Sequence, residues 1–105
     1  MDATLVMDKA DIIAKANAAE GYLKAMSNET RLILLCHLVE RSRTVGELEE
    51  LTGLAQANVS QHLSRLRADG LVQATRHGKS VTYSVADADA MEILQVLYRK
   101  FCVVG

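Results

Sequence analysis

Between Thr44 and Tyr83 the chain reads TVGELEELTGLAQANVSQHLSRLRADGLVQATRHGKSVTY, and this stretch admits few folds. Thr44 with Glu47 three residues on is a capping-box signature, so a helix starts there with Val45, Leu48 and Leu51 as its inner face. Thr52-Gly53 ends that helix, because glycine takes the left-handed backbone that lets a chain reverse sharply. A second helix runs from about Gln56 to Ala68, where Val59, Leu63 and Leu66 recur at four and three to give a narrow apolar stripe. After Gly70, the apolar residues Leu71, Val72, Ala74, Val81, Tyr83 and Val85 alternate with polar ones around His77-Gly78-Lys79-Ser80, the pattern of a β-hairpin. A short helix, a tight turn, a polar-faced helix and a basic-tipped ribbon, in that order, are the plan of a winged helix-turn-helix. Such a module sets one helix in a DNA groove and lays its hairpin on the flanking phosphates.

The outer face of the second helix supports that use. With Val59 at zero and steps of about 100° per residue, Ala57, Asn58, Ser60, Gln61, Ser64 and Arg65 fall away from the apolar stripe. They are small or amide- and guanidinium-bearing, with no acid among them. A groove-reading helix needs small residues for close approach and planar donor-acceptor groups to match base edges. Asn58, Ser60, Gln61, Ser64 and Arg65 are therefore the expected major-groove residues. His62 lies on the flank, packing at the helix boundary or meeting a phosphate. Arg76 and Lys79, near the hairpin tip, are the expected backbone contacts. Net charge is −1 overall, yet residues 54–85 hold Arg65, Arg67, Arg76 and Lys79 against Asp69 alone. The basic charge is confined to the proposed reading unit.

The flanks complete a mostly helical chain in the order ααααββα. Residues 1–8 read as a loose tail and 9–105 as one folded domain, which suits 105 residues. From Lys9 to Met26, Ile12, Ile13, Ala16, Ala19, Leu23 and Met26 recur at three and four, giving an amphipathic helix. Ser27-Asn28 breaks it, and Asn28 is the expected N-cap of the next helix, Glu29 to about Val39. That helix is apolar around most of its circumference and is expected to be central and buried. Ser42-Arg43 reads as a turn. A last helix carries Met91, Ile93, Leu94, Val96, Leu97, Tyr98 and Phe101. The first and last helices offer more apolar surface than one short chain can cover, so a homodimer joined through them is expected, with two reading helices about a two-fold axis. No apolar run reaches the roughly 18 residues that span a bilayer and no basic-then-apolar leader opens the chain. A cytoplasmic protein without membrane contact is expected.

Two cysteines, Cys36 and Cys102, are too few for a secreted disulfide scaffold. Cys36, inside LILLCHL, is accounted for equally well as a small apolar filler. Cys102 is harder to assign to packing, since a thiol near the chain end has little to contribute there. Two readings stay open: inert packing, or paired redox chemistry, which needs a thiolate and hence nearby cations such as Arg99 or Lys100. Metal binding is not expected. The helix at Thr44 has no cysteine, no histidine follows Val81, and His37, His62 and His77 lie in three separate elements. Asp87, Asp89 and Glu92 are read as caps of the last helix. Catalysis is not expected either, because Cys36 and His37 are adjacent on a helix and point about 100° apart. No glycine-rich phosphate loop is present, and no cofactor is implied.

LKAMSNETRLILLCHL followed by TVGELEELTGLAQANVSQHLSRLRADGLVQATRHGKSVTYSV resembles the ArsR family of bacterial winged helix-turn-helix repressors over about residues 20–102. VSQHLSRLRADGLV and LKAMS…TRL are its most specific marks. Where many members carry proline before the Thr-Arg pair, this chain has Glu29. The positions of Cys36 and Cys102 are similar to the cysteine pair of the family's persulfide-sensing branch, one on the second helix and one near the end of the last. The resemblance implies a reduced dimer that occupies a palindromic operator in double-stranded DNA. It implies that reactive sulfur species act as inducer, linking the two thiols through extra sulfur atoms and lowering DNA affinity. A peroxide- or disulfide-stress sensor using the same thiols is the alternative within regulation. A winged-helix protein-interaction module without a DNA target is the alternative from another class.

Overall fold

The computed structural model describes residues 8–101. Five helices and one hairpin follow in the expected order: α1 (Lys9–Met26), α2 (Glu29–Glu40), α3 (Val45–Thr52), α4 (Gln56–Ala68), β1 (Val72–His77), β2 (Ser80–Val85) and α5 (Ala88–Phe101). Residues 1–7 of the expected tail, and Cys102, lie outside the described residues. Asp8, the last residue of the expected tail, is the N-cap of α1. Its carboxylate accepts from the Asp11 amide at 2.9 Å and satisfies one of the donors that a helix start leaves open.

Local chemistry sets most boundaries. Asn28 caps α2 through the Arg31 amide (3.0 Å). Arg31 then reaches back, donating from Nε to the Ala25 carbonyl at 2.7 Å, and so ties the end of α1 to the start of α2. At α3 both halves of the capping box are formed: the Glu47 amide donates to Thr44 Oγ1 at 3.1 Å, and the Thr44 amide to Glu47 Oε1 at 2.8 Å. Gly53 ends α3 at φ 75°. Gly70, at φ 78°, ends α4 in a Schellman arrangement, with Leu71 N–H donating to the Leu66 carbonyl at 2.9 Å.

The core is aliphatic. Leu34, Leu35 and Leu38 of α2 meet Leu48 of α3, Val59, Leu63 and Leu66 of α4, Leu71 and Val72 at the hairpin base, and Ala90 and Leu94 of α5. Three expectations need correction. Leu51 is not on the inner face of α3; it is 46% exposed. Repeated steps of three drift by about 60° each on a helix, so Leu51 has rotated off the stripe that Leu48 occupies, whereas four-then-three spacing keeps α4's stripe in line. Arg43 is not simply a turn residue. Its backbone exchanges hydrogen bonds with Tyr83 (3.0 and 2.7 Å) and adds a one-residue third strand to the outer edge of β2. The centre of α2 is buried as expected, but Ile33 remains 38% exposed.

The hairpin pairs β1 and β2 antiparallel with Arg76 opposite Val81 and His77 opposite Ser80. Gly78 and Lys79 form a two-residue loop with positive φ at Gly78 alone (64°), the dihedral pattern of a type II′ turn, which matches the twist of paired strands. The outer helices contrast with this packing. Along α1, residues 9–21 are all exposed, and Ala25 and Met26 alone in that helix are buried. The apolar residues expected on one face are open within the single chain: Ile12, Ile13 and Leu23 on α1, Ile93, Val96 and Phe101 on α5.

Candidate nucleic-acid interface and thiol groove

The α4 stripe of Val59, Leu63 and Leu66 is fully buried, and that burial fixes which way the opposite face looks. On that face Ala57, Gln61, Ser64 and Arg65 are exposed, while Asn58, Ser60 and the flanking His62 are half-buried. Arg65 is engaged within its own helix: its Nε donates to Asp69 Oδ2 at 3.2 Å. On the hairpin, Arg76 shares the face of Val72, Ala74, Val81 and Tyr83. Near the tip this face runs beyond the core, and residues 75–80 are all exposed. Among the described residues neither Arg76 nor Lys79 enters an ion pair, so both cations stand open to an anionic surface. An open polar helix face and two open cations on the hairpin that follows it, carried by one closed aliphatic core, are features that a major groove and its flanking phosphates can accept.

Cys36 lies elsewhere, half-buried on α2 where α5 crosses it. It borders two grooves. One, of about 300 Å³, is walled by Ile33, Cys36, His37, Glu40 and Tyr98. The other, of about 240 Å³, is walled by Leu32, Cys36, Leu97 and Phe101. Phe101 is the last described residue of α5 and immediately precedes Cys102 in the sequence. Lys100, named above as a candidate cation, has its Nζ 5.7 Å from the centre of the Phe101 ring.

Polar contacts that the sequence reading did not foresee join α2 to α5 here. Tyr98 Oη donates to Glu40 Oε2 at 2.9 Å; Arg43 Nη2 lies 2.9 Å and His37 Nδ1 3.8 Å from Glu40 Oε1. Chiefly through the Tyr98 hydroxyl, with Arg43 and His37 assisting against a desolvation effect of opposite sign, the Glu40 carboxyl is held below its usual range. Glu40 stands four residues after Cys36 and Tyr98 four before Cys102. A separation of four positions from each cysteine in the sequence was the available signal. Asp87 caps α5 as expected, accepting from the Ala90 amide at 2.6 Å. Its second oxygen accepts from Tyr22 Oη at 3.4 Å, and burial, followed by the Asp87 charge, raises the Tyr22 pKa. Among the described residues no group of three or more His, Cys, Asp or Glu is arranged to hold a metal ion.

Fold and reading face together define a winged helix-turn-helix protein of the DNA-binding class. Residues 28–74 match the family described as bacterial regulatory protein, arsR family. The chain is 38% identical over 96 residues to the biofilm growth-associated repressor of Xylella fastidiosa, covering 91% of this chain and 84% of that protein. It is 40% identical over 80 residues to the transcriptional activator HlyU of Vibrio cholerae, covering 76% and 74%. A solved structure described as reduced HlyU from Vibrio cholerae superposes with a TM-score of 0.83 at 35% identity, covering 89% of this chain and 98% of that one. The chain belongs to the arsR family of bacterial transcriptional regulators. Its relatives are regulators rather than enzymes, and no helix among the described residues is long and apolar enough to cross a membrane.

Proposed function

We propose that this chain is a cytoplasmic, dimeric repressor whose grip on a palindromic operator falls when persulfides bridge Cys36 and Cys102. The observation that carries this reading is the groove shared by Cys36 and Phe101. It sets the α2 thiol beside the end of α5, one residue short of the second cysteine. Asn58, Ser60, Gln61, Ser64 and Arg65 read the groove, with His62 at its edge, and Arg76 and Lys79 meet the backbone. The apolar faces of α1 and α5 join two copies and set the spacing of the two α4 helices. Repression follows the resemblance to the Xylella repressor. The Vibrio relative is named a transcriptional activator, so both signs of regulation occur among the relatives' names.

The sulfur chemistry balances without an outside oxidant. Each thiolate attacks the outer sulfur of a persulfide RSSH and releases RSH, leaving a protein persulfide. One protein persulfide then attacks the inner sulfur of the other and expels hydrosulfide. Two protein thiols and two RSSH thus give a one-sulfur bridge, two RSH and one hydrogen sulfide; each further inserted atom consumes one more RSSH and releases one more RSH. A bridge with added sulfur spans a longer gap than a direct disulfide, whose Cα atoms must lie within about 7 Å. Intact mass after a persulfide donor, and separately after hydrogen peroxide, tests the assignment. The expected product gains sulfur, loses two hydrogens and resists alkylation. Loss of two hydrogens alone under both treatments would move the protein to the disulfide-stress reading.

A further inference from the structure

Resting on the DNA-reading assignment above, we propose that Asp69 is a positioning residue for Arg65, pinning its guanidinium so that the outer edge is presented to the DNA. Arg65 belongs to the reading face: with Asn58 and Gln61 it falls in a sector of about 60° on the α4 wheel, one turn beyond Gln61. The Asp69 carboxylate accepts from Arg65 Nε at 3.2 Å. Nε lies on the inner side of the guanidinium fork, so this bond leaves both terminal amines open. Those two amines match the paired acceptors O6 and N7 of a guanine. A guanidinium held at Nε has lost part of its rotational freedom before it meets DNA, and less ordering is left to accompany binding.

Helix stability does not account for Asp69. It occupies the C-cap of α4, where the carbonyl end of the helix dipole disfavours a carboxylate. Arginine N-terminal to an acid at this spacing is also the weaker orientation of an i, i+4 pair. Both side chains are well exposed, at 66% and 35%, and pairs of that kind add little to folding. Asp69 is moreover the sole acid among residues 54–85, the segment otherwise reserved for cations. An acid that suits neither its helix end nor an approaching polyanion is explained by what it does to Arg65.

The test enriches a duplex from a random-sequence library with the reduced wild-type protein, then compares that duplex with random DNA of equal length. D69N is expected to lose about three- to tenfold of the preference for the enriched duplex, D69E to recover most of it, and D69N to add nothing in an R65A background. Thermal unfolding of D69N should be unchanged or raised, which separates positioning from damage to the fold. Equal tightening on both duplexes would make Asp69 only a repelling charge and overturn the proposal. So would an undiminished D69N effect in the R65A background. If the wild type enriches no sequence, the DNA-reading assignment itself fails and this proposal with it.

Discussion

The reading module and the helical rim of this molecule are built to opposite rules. From Thr44 to Val85, a capping box opens α3, glycine turns end α3 and α4, and Leu48, Val59, Leu63, Leu66 and Leu71 are wholly shielded. Polar and cationic groups are turned outward. Around α1 and α5, Ile12 (50% exposed), Ile13 (63%), Val96 (49%) and Phe101 (72%) are left open. A single chain therefore completes the part that we assign to DNA and leaves unfinished the part that we assign to a second copy. Cys36 sits at the seam, on a helix that supplies Leu34, Leu35 and Leu38 to the core while bordering α5. On the proposed reading, a bond made at the seam acts on the rim, where α5 meets the second copy, rather than on the outward side chains of α4.

The contrast is broken most sharply in the core. Leu63→Ala should cost about 2–5 kcal/mol and abolish cooperative unfolding or lower its midpoint steeply in denaturant titrations. Val96→Asp, on the rim, should keep helical content but move the sedimenting species from dimer to monomer. A wild-type chain that sediments as a monomer would remove the role given to α1 and α5. Within the reading face, Gln61→Ala should cost about 1–3 kcal/mol on the enriched site and relax base preference. Lys79→Ala should weaken all sequences alike and reduce the salt slope by about one. Equal loss on specific and random DNA for Gln61→Ala would contradict its assignment.

Smaller effects sharpen the same division. Thr44→Ala removes the α3 cap and should cost about 1 kcal/mol in chemical denaturation. At the seam, the Glu40 pKa is lowered in the folded chain, so its contribution to stability is full above the ordinary carboxylate value of 4.5 and is lost as pH falls through the lower folded value. Tyr98→Phe removes the largest cause of that shift. It should return the Glu40 carboxyl toward its ordinary value in an NMR titration and soften the acid limb of stability. An unmoved Glu40 titration would show that Tyr98 does not hold it.

Local signals made much of the module legible. Thr44 with Glu47, Asn28, Gly53 and the four-then-three stripe of α4 each carry their structural consequence within one turn of chain, and the boundaries of α1 and α4 follow. Leu51 misled because hydrophobic character was read without the drift of three-residue steps. What escaped was non-local: Tyr98 meets Glu40 across 58 positions, and Arg43 meets Tyr83 across 40, contacts fixed only when α5 and β2 fold onto α2. The Arg65–Asp69 pair was local and visible at i, i+4, but a reading of base contacts alone gave an acid no place on that helix.

The central claim is that sulfur chemistry at Cys36 controls DNA affinity, and operator binding with and without a persulfide donor addresses it most directly. Wild type should release the duplex on addition of the donor and recapture it after reduction, while Cys36→Ser should hold the duplex under both conditions. Release by Cys36→Ser to the same extent as wild type would place the switch outside this thiol and contradict the account.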